Sequence, residues 1–412
     1  IKGKLMSKTI WIVHQYASTP ETGMGGRHYY LGSELAKQGY TVYLIASASN
    51  HLLRHPPEIN TSYQIQTISN NFHFVWVKMP LYDNAHSKQR AINWFLFPLR
   101  IQKLAKAITQ KPDAILSSSP SPFAFWGARR LANKYTARLI FEVRDIWPLT
   151  LTEIGGYSTR NPFIRLMQWT EDKAYYYSSS VVSNLPNSIE HMAQHGMDRK
   201  KFSWIPNGFS LDEVNKKTPL NLIACNQLPK NKFIVGYTGT IGIANALDNL
   251  LEAAYRLRDN AEISFVLVGD GKEKQTLQRK AQEMNLNNVF FIDPIPKIEI
   301  QSMLNLFDVC FIGWLDDPLY KFGIGANKIP EYLYSGKPII HAYSGSDDPI
   351  KEAKAGIQVP ANNPQQLVEA ILKLYNMTSQ ERNIMGANGR KAALELYEYS
   401  QLSKKLADIA FR

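Results

Sequence analysis

A chain of 412 residues, 44% hydrophobic and 20% charged, is long enough for two or three domains and too apolar for wholesale disorder. Lys and Arg number 47 against 35 Asp and Glu, and the excess lies in the first half: residues 6–206 hold 22 basic and 12 acidic side chains, whereas residues 207–412 hold 23 of each. The two cysteines, Cys225 and Cys310, stand far apart without metal-ligand spacing, and no run of eighteen apolar residues occurs, which argues against a disulfide scaffold, a cysteine-held metal and a helical membrane span.

The charge asymmetry predicts an anionic partner for the first half: a membrane surface, a lipid diphosphate or nucleic acid. Plain solubility is the blander explanation. No nucleic-acid module is legible, so nucleic acid is not expected. Ile1 to Leu5, ahead of Met6, read as an expression remnant, and the start has no signal-peptide apolar region. A cytoplasmic protein is expected, peripheral on the inner face of the cytoplasmic membrane.

In chain order, Thr9–His14 is a β-rich run. It is followed by a Gly-bearing loop, Gly23-Met-Gly-Gly-Arg27, then an amphipathic helix through Tyr30, Leu31, Leu35 and Ala36, and a strand over Thr41–Ala46. This is a βαβ unit with glycines where backbone must approach a ligand, or where the chain merely turns tightly. Further strand-like runs fall at Phe74–Lys78, Ala114–Ser117, Arg138–Val143 and Val181–Ser183, alternating with helical stretches. Such alternation predicts a parallel sheet covered on both faces. Between them, Trp94-Phe-Leu-Phe97 precedes Pro98, taken as a first-turn residue, and a helix with Ile101, Leu104 and Ile108 on one face and Arg100, Lys103 and Lys106 elsewhere. This segment reads either as a basic amphipathic surface for an anionic bilayer or as a core-packed helix with a solvated basic face. Phe141-Glu-Val-Arg-Asp145-Ile-Trp-Pro148 leaves a strand and turns, which sets Arg144 and Asp145 at the carboxyl end of the sheet, where open α/β sheets bind ligands. Asp145 is the first acid/base candidate, with a structural Arg144–Asp145 pairing as the alternative. His14, also at a strand end, is the second.

The second half follows a Pro-Asn-Gly turn at Pro206–Gly208, and Lys216–Lys232 has the polar, aperiodic composition of a linker. Phe233–Gly242 repeats the theme of strand then glycines, with Gly239, Thr240 and Gly242 in the turn and a helix over Ala246–Leu257. Ser264–Gly271 repeats it again, with Gly271 in the turn and Lys272 opening the next helix. Phe290–Pro296, with Ile295, is strand and turn. The chain then reaches Gly323-Ile-Gly-Ala-Asn-Lys-Ile-Pro-Glu-Tyr-Leu-Tyr-Ser-Gly-Lys-Pro338, which reads as loop, helix and buried strand, with Gly336 ending the helix. Its first turn, at Gly325, Ala326, Asn327 and Lys328, offers free backbone N–H groups, a helix dipole and one full positive charge to a diphosphate. Glu331 follows, placed to accept hydrogen bonds from a diol such as ribose.

This last stretch resembles the donor-site signature of bacterial nucleotide-sugar glycosyltransferases with the GT-B fold, family 4. The branch is similar to the O-antigen and capsule enzymes that include N-acetyl-L-fucosamine transferases. The resemblance implies that Lys328 contacts donor phosphate and Glu331 binds ribose, that the Gly239 loop faces the phosphates, and that Ile295 lies in the loop reading the nucleobase. It also implies two Rossmann-like domains facing across a cleft, an acceptor domain over 6–206 and a donor domain over 207–388, with a helix from 389–412 crossing back to the first. Two departures stand out. Gly323 occupies the place of a Glu that in many members contacts the donor sugar, and an Arg and a Lys expected just after the Gly239 loop are missing, which leaves neutralisation to Lys272 and Lys328.

The expected activity is transfer of a sugar, N-acetyl-L-fucosamine or another N-acetylhexosamine, from a UDP-sugar to a polyprenyl-diphosphate-linked saccharide in O-antigen or capsule synthesis. The acceptor diphosphate is expected near Gly25, Gly26, Arg27 and Arg144. No cofactor and no metal are expected, since Asp316-Asp317 and Asp347-Asp348 are adjacent pairs rather than an Asp-x-Asp pattern. The competing expectations are a UDP-sugar 2-epimerase and a non-catalytic sugar-nucleotide-binding protein.

Overall fold

A computed structural model describes residues 7–82, 87–216 and 218–412. The chain divides into two compact units, one running to Asn207 and resuming at Tyr399–Arg412, the other covering Gly208–Glu398.

The apolar runs of the first half become one sheet: β1 (Thr9–Val13), β2 (Thr41–Ser47), β3 (Tyr63–Ser69), β4 (Phe72–Val77), β5 (Ala114–Ser118), β6 (Arg138–Val143), β7 (Ser180–Ser183) and β8 (Phe202–Trp204). Their order is β3-β4-β2-β1-β5-β6-β7-β8. All neighbours pair parallel except β3 and β4. Every residue of β1 is buried, because helices cover both faces of a central parallel strand and alternation with polar residues is lost. Ile10 and Ile12 pack with Leu31 and Leu35 of the helix Arg27–Lys37 and with Leu402 and Leu406 of the helix Tyr399–Ala410. Trp11 points to the other face, edge-on to Tyr43 and Tyr135. The strand β3 escapes sequence reading because its Tyr-Gln-Ile-Gln-Thr-Ile-Ser lies at an exposed antiparallel edge, where no apolar run is required.

The segment before β5 differs from its expectation. The helix runs over Lys88–Ile101, so Pro98 lies in its last turns rather than its first, and Ser87 caps its start by accepting from the Gln89 amide. Trp94, Phe97, Ile101, Leu104 and Ile108 are all buried. The apolar face formed by Ile101, Leu104 and Ile108 therefore belongs to the core and is not the face a bilayer would meet.

The second unit holds β9 (Phe233–Thr238), β10 (Ile263–Val268), β11 (Val289–Ile292), β12 (Val309–Gly313), β13 (Ile339–Ala342) and β14 (Gly356–Val359), in the order β11-β10-β9-β12-β13-β14. All neighbours are parallel. The fold is thus mixed α/β with two parallel-sheet domains, as the alternation of strand and helix predicts. Two expectations on this half need correcting. The Lys216–Lys232 stretch is not a free linker: it carries a helix, Leu222–Gln227, and Glu299 accepts from both the backbone and side-chain amides of Asn221. The single terminal helix expected from 389 onward is two helices, Ser379–Leu396 and Tyr399–Ala410, and the chain re-enters the first unit only at Tyr399.

Candidate active site

Two groups of polar side chains gather at the carboxyl ends of the strands, one in each unit. In the second unit, Gly239 leaves β9 with φ 137°, a conformation that favours glycine. A side chain there would meet the Lys328 ammonium at 3.1 Å. The glycines after β10 do different work. A Cβ on Gly269 would lie 1.9 Å from the Gly239 carbonyl, and one on Gly271 would lie 2.2 Å from that of Ile241, so these residues let the two turns stack backbone on backbone. Gly271, expected to meet donor, thereby acquires a packing role. Thr240 is exposed, and its carbonyl accepts from Tyr237 Oη at 2.6 Å and Asn245 Nδ2 at 2.9 Å; Gly242 is extended.

Lys328 is the first residue of the helix Lys328–Ser335, which Gly336 ends at φ 74°. Its Nζ donates to Tyr237 Oη at 2.7 Å and Asn245 Oδ1 at 3.1 Å and sits 4.2 Å from the centre of the Tyr237 ring. None of these partners is anionic. Burial without a counter-ion lowers the Lys328 pKa to about 7. Tyr332, one turn on, receives the Thr238 amide at 2.7 Å and donates to the Thr238 carbonyl at 3.1 Å, which fastens this helix to the end of β9. Gly325 and Ala326 are half-buried and Asn327 exposed ahead of the helix. Gly323 takes φ 93°, where a Glu would be strained.

Glu331 borders a recess lined by Glu213, Val214, Lys297, Ile298, Ile300 and Gln301. Lys297 Nζ is 3.0 Å from Glu213 and 4.0 Å from Glu331. Burial raises the Glu331 pKa, and Lys297 opposes the shift while Glu213 adds to it. Ile295 is half-buried two residues before Lys297. Lys272 follows Gly271 in the turn after β10. It is exposed and precedes the helix, which begins at Lys274. Lys274 is the lysine turned inward, to Asp293 at 2.7 Å.

In the first unit, Gly25 (φ 66°) and Gly26 (φ 86°) shape the loop before the helix Arg27–Lys37. Arg27 itself is not available to an acceptor. It is buried, bonded through Nε to Glu142 at 2.9 Å and through its other nitrogens to the carbonyls of Ile205 and Pro206. Glu142 also accepts from Ser118 at 2.6 Å and meets His28 at 2.5 Å. Burial alone would raise its pKa, but Arg27, His28 and Arg144 hold the carboxyl well below the usual range. Arg144 pairs with His14 rather than Asp145: its Nη1 lies 3.3 Å from His14 Nε2. His14 is buried, its ring 4.3 Å from that of His28. Burial, then His28 and Arg144, push its pKa well below the usual value, so it is neutral at neutral pH. Asp145 accepts from Trp147 Nε1 at 2.9 Å and Thr150 Oγ1 at 2.6 Å, so both oxygens serve their own turn.

Tyr237, Asn245, Tyr332, Lys297, Glu213 and Glu142 were missed as site residues in the sequence. Tyr332 lies inside the Gly323–Pro338 stretch, Tyr237 and Asn245 flank the Gly239 turn, Lys297 follows Pro296 and Glu142 stands two residues before Arg144, whereas Glu213 stands near no motif.

Residues 22–213 match the family model for Glycosyltransferase Family 4, and residues 221–392 match that for Glycosyl transferases group 1. The class these matches and the fold define is a GT-B glycosyltransferase. Among curated proteins, the chain is 29% identical over 200 residues to a "Putative colanic acid biosynthesis glycosyl transferase WcaI" of Escherichia coli K12, covering 47% of this chain and 48% of that one. It is 22% identical over 303 residues to the E. coli "O-antigen chain mannosyltransferase C", covering 73% and 76%. The match thus spans about half the length of the first relative and three quarters of the second. A solved structure, "Trehalose-6-phosphate from E. coli bound with UDP-2-fluoro glucose", superposes with a TM-score of 0.73 at 11% identity, covering 98% of this chain and 99% of that one.

Proposed function

We propose that the protein transfers a hexose or N-acetylhexosamine from a UDP-sugar to a lipid-diphosphate-linked saccharide during surface polysaccharide synthesis, at the cytoplasmic face of the membrane. N-acetyl-L-fucosamine is the sugar that the Gly325–Ile340 resemblance suggests. The observation that carries the reading is the Lys328 ammonium, half-buried beside the Gly239 turn with a phenol and an amide for company and no carboxylate partner among the described residues. Such a group awaits an anion. A diphosphate there would supply the counter-charge, and as the glycosidic bond breaks, charge developing on the leaving diphosphate would meet a donor already in place. Glu331 would take the ribose hydroxyls. The UDP-sugar held by the structural relative supports this choice of donor.

In the first unit, His14 is assigned the acceptor proton, because burial keeps it neutral. Arg144 occupies Nε2, so the base becomes free when Arg144 turns to the acceptor's anionic group. Neutralisation by Lys328 requires no metal in this reading, and turnover should persist in EDTA. Titration calorimetry with UDP on wild type and Lys328→Ala is the direct test. Equal affinities would remove the donor site from this helix. The family descriptions favour transfer over 2-epimerisation.

A further inference from the structure

A second cluster of polar and aromatic side chains closes the same end of the sheet in the second unit. It begins with a polar residue inside an apolar strand. His341 of β13 is buried, and so is Asp348, which caps the short helix Pro349–Glu352. His341 Nδ1 lies 2.9 Å from Asp348 Oδ1, which also accepts from the Ile350 amide at 2.8 Å, and His341 Nε2 lies 2.9 Å from Trp314 Nε1. An indole nitrogen can only donate, so Nε2 accepts, while Nδ1 carries the ring hydrogen and donates to the carboxylate. The dyad therefore holds one tautomer and orients one partner, the indole.

Trp314, the residue after β12, is the outer end of this chain and only half-buried. Its ring is held from a second side. Tyr343 stacks on the His341 imidazole at 5.0 Å and donates through Oη to the Tyr320 carbonyl at 3.0 Å, while the Tyr320 ring stands edge-on to Trp314 at 5.6 Å. Trp314, His341, Tyr343 and Tyr320 thus close a ring of contacts, so the indole has lost its rotameric freedom before any ligand arrives. The backbone on either side of Trp314 adjoins the lysine site. The Leu315 amide is 3.4 Å from the Ala244 carbonyl, a Cβ on Gly313 would lie 2.8 Å from the Asn245 carbonyl, and Asn245 Oδ1 accepts from Lys328 at 3.1 Å. Tyr320 belongs to the turn Pro318–Phe322, which leads through Gly323 to the helix that Lys328 opens.

We propose that Trp314 is the platform on which the hexose ring of the donor lies, with Tyr320 as its side wall, and that His341 and Asp348 are positioning residues that fix the plane of the indole; the assignment rests on Lys328 holding the donor diphosphate. The chemistry suits a pyranose joined to that diphosphate. Hydroxyls at the rim of such a ring leave a face of C–H groups, and an indole offers that face a broad, rigid apolar plane with only two torsions to order. The Trp314 N–H is already given to His341, so it makes no demand on a sugar hydroxyl. The wall therefore senses the sugar ring, and the uridine diphosphate is held elsewhere.

The test is titration calorimetry of the full chain with UDP and with UDP-glucose, UDP-galactose, UDP-N-acetylglucosamine and UDP-N-acetylgalactosamine. The sugar nucleotide that wild type binds tightest is then carried to the variants. Trp314→Ala should weaken it about tenfold or more, the size of a lost apolar contact in a substrate pocket, while UDP affinity changes by less than about twofold. Trp314→Phe, which keeps a ring, should lose less. His341→Gln should weaken the same sugar nucleotide and spare UDP, and His341→Gln/Trp314→Ala should bind no worse than Trp314→Ala, because the histidine acts only through the indole. Additive losses in the double variant would make His341 a purely structural residue. Trp314 is half-buried, so its two variants decide the matter should His341→Gln fold poorly. Equal losses of UDP and sugar nucleotide in Trp314→Ala, no loss of either, or a wild type that binds UDP and none of the four sugar nucleotides would overturn the proposal. A wild type that binds no UDP would instead sink the donor site at Lys328, and the platform with it, so the two failures are told apart.

Discussion

The two units place cations at equivalent positions, the carboxyl ends of parallel strands, yet they treat those charges in opposite ways. In the first unit Arg27, His28 and Arg144 gather about Glu142, a buried carboxylate whose oxygens are bonded to Arg27, His28 and Ser118. In the second unit Lys328 faces a phenol and an amide. The comparison teaches what each cluster is for. A compensated cluster holds loops in place and leaves only Arg144, which Glu142 attracts by charge, to meet a ligand; an uncompensated ammonium costs stability and is retained where a ligand supplies the missing charge.

Breaking the compensated cluster should have the largest effect. Glu142→Ala leaves two guanidinium groups and a histidine without their carboxylate, and removal of one partner from a buried ion pair typically costs about 3–5 kcal/mol. In a unit of this size the melting temperature should fall by roughly 10 °C, measured by calorimetry, while UDP affinity of the folded protein stays put. A melt within about 2 °C of wild type would mean that the cluster is not what anchors the loops.

Lys328→Ala should do the reverse. UDP affinity should drop about 10- to 150-fold, the range expected for a charge-assisted contact of roughly 1.5–3 kcal/mol. The melting temperature should stay level or rise, since a half-buried charge without an anionic partner is removed.

The same contrast can be sharpened by pH. The Lys328 pKa lies at about 7 in the free protein, so the group is charged below that and neutral above it. A bound diphosphate stabilises the ammonium and raises its pKa, so binding above about pH 7 must take up a proton. UDP affinity should therefore fall as pH rises through 7 and beyond, by at most about tenfold per unit, the limit for one proton. Calorimetry at pH 8 in buffers of different ionisation enthalpy should show that uptake, and Lys328→Met should abolish it.

Smaller differences separate the remaining candidates. Glu331→Ala should weaken UDP by about 1 kcal/mol, roughly fivefold, and leave pyrophosphate untouched if its partner is ribose. Equal losses for the two ligands would assign Glu331 to support of the Lys297–Glu213 pair. Asp145→Asn should lower turnover less than about tenfold, because its oxygens serve the Trp147–Thr150 turn. A general base would lose about 10²–10⁴, the loss expected instead for His14→Phe at unchanged UDP affinity.

Local patterns determined much of this from sequence alone. Runs such as Thr9–His14 and Phe233–Gly242 disclose buried parallel strands, because a strand covered on both faces must be apolar throughout. Gly336 ends a helix wherever it is read, and Lys328 and Glu331 stand on one helix start by spacing alone. Partners were a different matter. Arg27 and Lys328 both follow glycine-bearing loops, and nothing local says that one will meet Glu142, 115 residues away, and the other Tyr237, 91 residues before it. The sign of a side chain's charge is written in the chain. Whether that charge is already answered depends on which strands lie side by side, and only the tertiary structure, through β9 beside β12 and β6 beside β5, decided that. The face of the helix Lys88–Ile101 is a like case. Its sequence is apolar on more than one side, so periodicity could not choose which side to bury, and contact with the helices Ala124–Tyr135 and Pro162–Tyr177 made the choice.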